Sequence, residues 1–328
     1  MNYLEIISPV KKELESVETI IGKYLKSEFK AIDDLSEYIF STRGKLIRPA
    51  LLLLSCALFS RVNSRAIKTA AAVELVHSAT LVHDDIIDNA AIRRGKPSFN
   101  KKFGNTAAVL FGDYLYCQAF EIISKFGEKY IAENLLFAAR SMCEGEIFQN
   151  IVNYNPDIGF NEYIKIIESK TARFISKCAE LGAYCAKASP ADVENIRKFG
   201  LNMGIAFQIA DDVLDVSSDD KTIGKPAAKD LPEGKITLPL MLLFDKLDPK
   251  ISAGIIKKIK SAKNKKMDPG FVSKLMSLCR QHGTPALSMG IAQKYTARAI
   301  SYLNKAGGDK KIKEAMKAFC EFMTSRNS

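Results

Sequence analysis

Residues 64–94, SRAIKTAAAVELVHSATLVHDDIIDNAAIRR, are largely apolar before Asp84, Asp85 and Asp88, and end in Arg93 and Arg94. The spacing predicts one long helix over 64–90, opened by Asn63 or Ser64 as its cap. Its face runs Ala70, Val73, Val76, Thr80 and Ile87, and it is apolar nearly all round. Such a helix belongs at the centre of a bundle, ringed by amphipathic ones. Carboxylates next to an apolar stretch are costly unless something neutralises them. The fold and the chemistry both turn on what does so here.

Helical spacing continues outward from this stretch. Amphipathic segments cover 3–28 and 33–40, and Pro49 suits the first turn of a helix over 49–59. Further helices are expected at 105–126, 129–152, 161–188 and 191–217, then at 236–246, 250–262, 268–281, 284–306 and 309–324. Gly307-Gly308 separates the last two. Alternating β-branched and aromatic runs are almost absent, and no Ser/Gly/Pro-rich linker divides the 328 residues. The expectation is an all-α chain, a single domain over 1–328 with ten or more helices.

Composition narrows the class. The net charge of +11 admits nucleic acid, anionic membrane or anionic small substrates. The lysine run KKIKSAKNKK at 257–266 lacks interleaved aromatics for base stacking, so it reads as a solvated helix face. Seven single cysteines with no CxxC pair, most among apolar neighbours, read as reduced, buried thiols of a cytoplasmic protein. The N-terminus has no signal-peptide core, and the longest apolar run, PALLLLSCALF at 49–59, is too short to span a bilayer.

The pattern DDxxD returns in FQIADDVLDV as Asp211, Asp212 and Asp215. With Asp at roughly 6% of residues, two copies in this length arise by chance in roughly one chain in a few hundred. On a helix, residues i and i+4 stack on one face and i+1 flanks them. Each motif therefore offers two stacked carboxylates and a third beside them. Such hard oxygens suit Mg²⁺, which takes one or two carboxylates and completes its shell with water and substrate phosphate. The natural guest is a diphosphate.

Basic residues sit where a diphosphate needs them. Arg93 and Arg94 follow the first motif, and arginine forks match phosphate oxygens. GKLIRP supplies Lys45 and Arg48 beside Gly44. IGKPAAKDLPEGKITLP carries Lys225, Lys229 and Lys235 in a Gly/Pro-marked loop able to close over a charged substrate. His77 lies seven residues before Asp84 on nearly the same helix face, which makes a phosphate contact credible. His83-Asp84 looks like the ligand dipeptide of metal-dependent His-Asp phosphohydrolases, but three histidines are few for that chemistry.

The motifs GKLIRP, LVHDDIIDNAAIRRGKP, GEIFQ at 145–149, SKTARF at 169–174, FQIADDVLD and GKPAAKDLPEGKITLP, in this order, resemble the trans-polyprenyl diphosphate synthase family over nearly the whole chain. The resemblance implies an isoprenoid-synthase bundle around a central cavity, usually a homodimer, with the aspartate motifs on facing helices. It assigns Asp84 and Asp88, with Asp85 assisting, and Asp211, Asp212 and Asp215 to a cluster of three Mg²⁺ per active site. It matches Arg93, Lys170, Lys225 and Lys235 to the allylic diphosphate. Gly44, Lys45, Arg48, His77 and Arg94 match the isopentenyl diphosphate site, and Thr171 and Gln208 lie near the developing carbocation. Arg173 departs from the pattern, since relatives usually carry a small or apolar residue there.

The implied reaction ionises the allylic C–O bond, adds isopentenyl diphosphate to the carbocation and loses a proton. Short-chain members of the family often carry a bulky aromatic at the position of Ala79. Here a methyl group stands there, with Thr80 beside it and Val76, Val73 and Ala72 below, none of them large. The expected product is long, about 40 carbons, of the kind used for quinone side chains. Phe111, Tyr114 or Phe120 could supply a floor and leave a product of 15 or 20 carbons. A terpene cyclase, a non-catalytic synthase subunit and a His-Asp phosphohydrolase are the rivals of other classes. No nucleic-acid partner is expected, and release of a long product implies transient contact with a membrane surface.

Overall fold

The computed structural model describes residues 2–41, 44–217, 229–263, 265 and 267–325. Its helices are α1 Tyr3–Ile6, α2 Lys11–Tyr24, α3 Lys30–Ser41, α4 Ile47–Ala57, α5 Ser64–Ile87, α6 Phe99–Phe103, α7 Asn105–Ser124 and α8 Lys129–Val152. They continue as α9 Phe160–Ile167, α10 Arg173–Cys185, α11 Pro190–Ser217, α12 Leu238–Lys246, α13 Pro249–Ser261, α14 Pro269–Gln281, α15 Thr284–Lys305 and α16 Lys310–Thr324. The all-α expectation holds. Among the described residues the strands are two residues each, β1 Ile92–Arg93 and β2 Lys96–Pro97, paired antiparallel.

Local sequence explains most ends. Asn63 caps α5 by accepting the Ala66 N–H at 3.0 Å, as its side chain predicts. Gly308 takes φ +96° between α15 and α16, where a side chain would be strained. The expected helix over 3–28 is broken instead: Ser8–Val10 forms a 3-10 turn around Pro9, which has no N–H to give and pushes Ser8 out of the helix. The expected helix over 161–188 is interrupted by a π turn at Glu168–Ala172, between α9 and α10.

By its own contacts the chain divides into two compact units. The first holds residues 1–139, 177–197 and 303–319; the second holds 140–176, 198–302 and 320–328. In the first, α5 packs against α2, α4 and α7, with Ala70 to Val76, Ala79 and Val82 at 0–1% exposure apart from the buried Glu74. A helix this apolar all round needs such a ring of neighbours. In the second unit, Ile166, Val216, Leu240, Leu243, Ile259 and Leu275 belong to one apolar cluster. Tyr163, Ile167, Ala172, Ile205 and Ile209 belong to another.

All seven cysteines are unbridged; five are buried, while Cys117 and Cys143 are exposed. No helix of the described residues is long and apolar enough to cross a membrane.

Candidate active site

Asp84, Asp85 and Asp88 close α5, and the last of them is its C-cap. Their burial differs as helical geometry requires. Asp84 and Asp88, a turn apart, are part-exposed, whereas Asp85 points inward at 2% exposure. Arg93 neutralises Asp85: its Nε lies 2.8 Å from both carboxylate oxygens and its Nη2 2.7 Å from Oδ1. This fork-on-fork pairing is the strongest form of the ion pair. It rests on the β1–β2 hairpin, whose two-residue turn is Arg94-Gly95, both with positive φ, as a primed turn requires. Ser98 and Asn100 secure its base: the Ser98 hydroxyl donates to the Ala90 carbonyl at 2.5 Å, and the Asn100 amide to the Asp85 carbonyl at 3.2 Å.

The neighbouring arginine turns to the opposite purpose. Arg94 lies over Gly44, where any Cβ would sit 2.5 Å from its Nη2, so glycine is the residue that admits it. Arg48 Nη1 donates to His77 Nε2 at 2.8 Å, which leaves the ring proton on Nδ1. Burial, with the charges of Arg48, Arg94 and Arg93, holds His77 well below the usual histidine range. Burial also lowers Arg48, while the buried Glu74 pulls it the other way. Gly44, Arg48, His77 and Arg94 thus form one cationic group, and the Lys45 carbonyl accepts the Tyr3 hydroxyl beside it. His83 is spent elsewhere: its Nε2 donates to the Val109 carbonyl at 3.2 Å, 3.6 Å from Asp113, with the ring against Gly112.

His83 against Gly112 and Lys68 over the Phe126 ring show that α5 and α7 run antiparallel. Ala79 is therefore level with Leu115 and Tyr116, and Val76 with Ala119. Phe111 lies nearer the aspartates, stacked on Phe99 at 5.0 Å, and is not a floor below Ala79.

The second motif, near the end of α11, repeats the pattern with other partners. Asp212 is the inward residue at 4% exposure, Asp215 is part-exposed and Asp211 is exposed. Two neutral groups hold Asp212: the Tyr163 hydroxyl donates to Oδ2 at 2.6 Å and the Gln208 amide to Oδ1 at 3.0 Å. The Thr171 hydroxyl donates to Gln208 Oε1 at 2.8 Å, which joins two expected site residues to the motif. Asp215 accepts the backbone N–H groups of Lys229 and Asp230 at 2.8 and 3.3 Å. Burial, and next the charge of Asp230, push both Asp212 and Asp215 upward from the carboxylate range. Lys235 lies 3.9 Å from Asp230 and 2.5 Å from Glu233. Lys170 is held by Glu146 at 2.6 Å and Gln149 at 2.7 Å, the polar residues of GEIFQ. Lys225 lies outside the described residues.

Tyr163, Asp230, Glu146 and Gln149 escaped assignment from sequence. Glu146 and Gln149 lay within a recognised motif without a role, and Asp230 within the lysine-marked loop. Tyr163 gave no local signal, because its partner is 49 residues away.

The all-α architecture is that of isoprenyl synthases of known structure. The polyprenyl synthetase family model matches residues 29–273. The chain is 36% identical over 241 residues to octaprenyl diphosphate synthase of Escherichia coli, covering 74% of this chain and 75% of that one. It is 33% identical over 322 residues to geranylgeranyl diphosphate synthase of Saccharolobus solfataricus, covering 95% and 96%. A polyprenyl synthase from Caulobacter crescentus, solved with calcium and isoprenyl diphosphate, superposes with a TM-score of 0.91 at 30% identity over 98% of this chain and 97% of that one. This chain belongs to the polyprenyl synthetase family and is a trans-prenyltransferase, a polyprenyl diphosphate synthase.

Proposed function

We propose that this enzyme works as a single domain over 1–328, in the cytoplasm, condensing isopentenyl diphosphate with farnesyl or geranylgeranyl diphosphate into an all-trans product of about 40 carbons. The strongest support is the arrangement within the first unit, where Arg48, His77 and Arg94 form a cationic group and the carboxylates of Asp84 and Asp88 are part-exposed. Isopentenyl diphosphate binds at the former, with Lys45.

The donor chemistry fits magnesium. Asp84, Asp88, Asp211, Asp212 and Asp215 offer hard oxygens, and the burial that pushes Asp212 and Asp215 upward, with the charge of Asp230 next, is a penalty on negative charge that a divalent cation relieves. Among the described residues no three His, Cys, Asp or Glu side chains converge as a closed ion cage. Mg²⁺ does not need one, since it takes one or two carboxylates with water and phosphate. Three ions per site are proposed. Bound there, they supply Lewis acidity toward the departing diphosphate.

The side chains do the rest. Arg93, Lys170, Lys225 and Lys235 take up charge on the allylic diphosphate as its C–O bond breaks. Arg93 and Lys170 are already oriented by Asp85 and by Glu146 and Gln149. The oxygens of Thr171 and Gln208 face the allylic cation. The double bond of isopentenyl diphosphate forms the new C–C bond, and the proton lost goes to released diphosphate.

The buried methyl of Ala79, with Val76 and Thr80, favours a long product over one of 15 or 20 carbons. An exposed stripe on α8, Leu136, Cys143, Ile147 and Ile151, supports a homodimer. Transient contact with a membrane surface would receive the product.

The test is incubation with Mg²⁺, farnesyl diphosphate and labelled isopentenyl diphosphate, followed by sizing of the dephosphorylated products. A single product near 40 carbons is expected. A 20-carbon product keeps the reaction and rejects the chain length; no incorporation with any allylic primer rejects the reaction.

A further inference from the structure

Within the second unit the π turn Glu168–Ala172 separates α9 from α10 and carries Lys170 and Thr171. A π turn is wider than an α turn and is rarely stable alone. Here its neighbours have made room for it. On α8, a Cβ at Gly145 would lie 2.8 Å from Lys170 Cγ, 2.9 Å from the Lys170 backbone nitrogen and 2.9 Å from Ser169 Cβ. On α11, a Cβ at Gly204 would lie 2.6 Å from Ala172 Cα. Backbone cannot step aside as the end of a lysine can, so two glycines flank the widened turn at van der Waals contact.

The turn is also tied down. Arg173 Nη1 donates to Ser141 Oγ at 3.1 Å, and Ser141 Oγ in turn donates to the Ser169 carbonyl at 3.4 Å. Ser141 is 1% exposed, so this relay runs through a buried hydroxyl. It ends on a carbonyl inside the π turn, one residue before Lys170. Arg173 is also the first residue of α10, and its N–H closes the π turn on the Glu168 carbonyl. The arginine therefore grips the turn twice, once through its backbone and once through its side chain by way of α8.

We propose that Arg173 is a positioning residue for the prenyl transfer. Through Ser141 it holds the π turn against α8, and so fixes where Lys170 and Thr171 stand relative to the reacting allylic diphosphate. Lys170 reaches Glu146 and Gln149 on α8, and Thr171 reaches Gln208 on α11, so a loosened turn disturbs both links together. This role rests on the prenyl-transfer reading.

The experiment compares wild type with Arg173→Met, Arg173→Lys, Ser141→Ala and the double variant Arg173→Met/Ser141→Ala. Each is assayed for elongation and for backbone hydrogen exchange over residues 165–176. Arg173→Met is expected to lower kcat about 10- to 100-fold, the scale of a small misplacement of reacting groups. KM for isopentenyl diphosphate should stay within about twofold, exchange at 168–173 should speed up, and Arg173→Lys should recover most of the rate. The double variant should be no slower than the worse single variant, because both break one relay. An Arg173→Met enzyme with unchanged kcat and unchanged exchange overturns the proposal. So does a loss of kcat and KM together with faster exchange throughout the chain, which marks a general structural role. Failure of wild type to elongate would reject the prenyl-transfer reading, while the exchange data would still report on the clamp.

Discussion

The two aspartate motifs have the same spelling and opposite surroundings. In each the second aspartate faces inward, Asp85 at 2% and Asp212 at 4% exposure. Asp85 is met by a full positive charge, the fork of Arg93, and its neighbourhood goes on to collect Arg94, Arg48 and His77. Asp212 is met by a phenol and an amide, and its neighbourhood adds the further negative charge of Asp230. Identical patterns have thus been settled in different ways. The first motif has its inward aspartate met by a cation, and the second has its inward aspartate met by neutral donors. A motif read by spacing alone does not show this, because the neutralising group comes from another element in each case.

The largest effect should come from removing an outward carboxylate on either side. Asp84→Ala and Asp211→Ala should each reduce turnover about 1,000-fold with the helical circular dichroism unchanged, the scale on which removal of preorganised charge stabilisation acts. Near-normal turnover in either would remove that motif from the metal assignment. Chelation with EDTA should abolish turnover in the wild type, and added Mg²⁺ should restore it.

Stability separates the two inward aspartates. Arg93→Met strands Asp85 as a buried charge and should cost about 3 kcal/mol in chemical denaturation. Tyr163→Phe removes one neutral donor from Asp212 and should cost only about 1 kcal/mol. Equal costs would erase the contrast.

A smaller effect should follow pH. His77 is held below its unfolded pKa near 6.5, so below that pH the unfolded chain takes a proton that the folded one refuses. Wild type should lose up to about 1.4 kcal/mol per pH unit relative to His77→Gln as pH falls below about 6.5, and nothing above it. Parallel denaturation curves at pH 7.5 and 5.5 measure this. An identical pH response in the two proteins would show that the cationic group does not hold the ring neutral.

Gly44→Ala should have the least effect on stability. Its Cβ meets the far end of the Arg94 side chain, which can swing aside. The displacement should instead raise KM for isopentenyl diphosphate severalfold with kcat little changed.

The sequence disclosed α5 and its Asn63 cap, the two acidic helix ends and the Gly307-Gly308 break, because each of these is set by local periodicity or by a single residue's backbone preference. It hid what depends on tertiary partners. Strands of two residues leave no alternation to read, so the hairpin at 92–97 could not be seen. The π turn sits in a segment whose apolar spacing is ordinary for a helix, and the glycines that leave room for it, Gly145 and Gly204, lie on other helices. Pro9 was legible as a helix breaker, yet the amphipathic spacing on both sides masked the break.

The hairpin carries a further consequence. Surface loops usually accept insertions and deletions, and Ile92, Arg94, Gly95, Lys96 and Pro97 are all exposed. This one is different, because Arg93, the last residue of β1, goes to Asp85, while Arg94, held by the turn at positive φ, goes to Gly44. One residue more or fewer before them would shift both arginines from these places, leave Asp85 stranded and withdraw a cation from the other group. An exposed turn here has the length intolerance of a core strand, and natural variation at 89–97 should change letters while keeping their number.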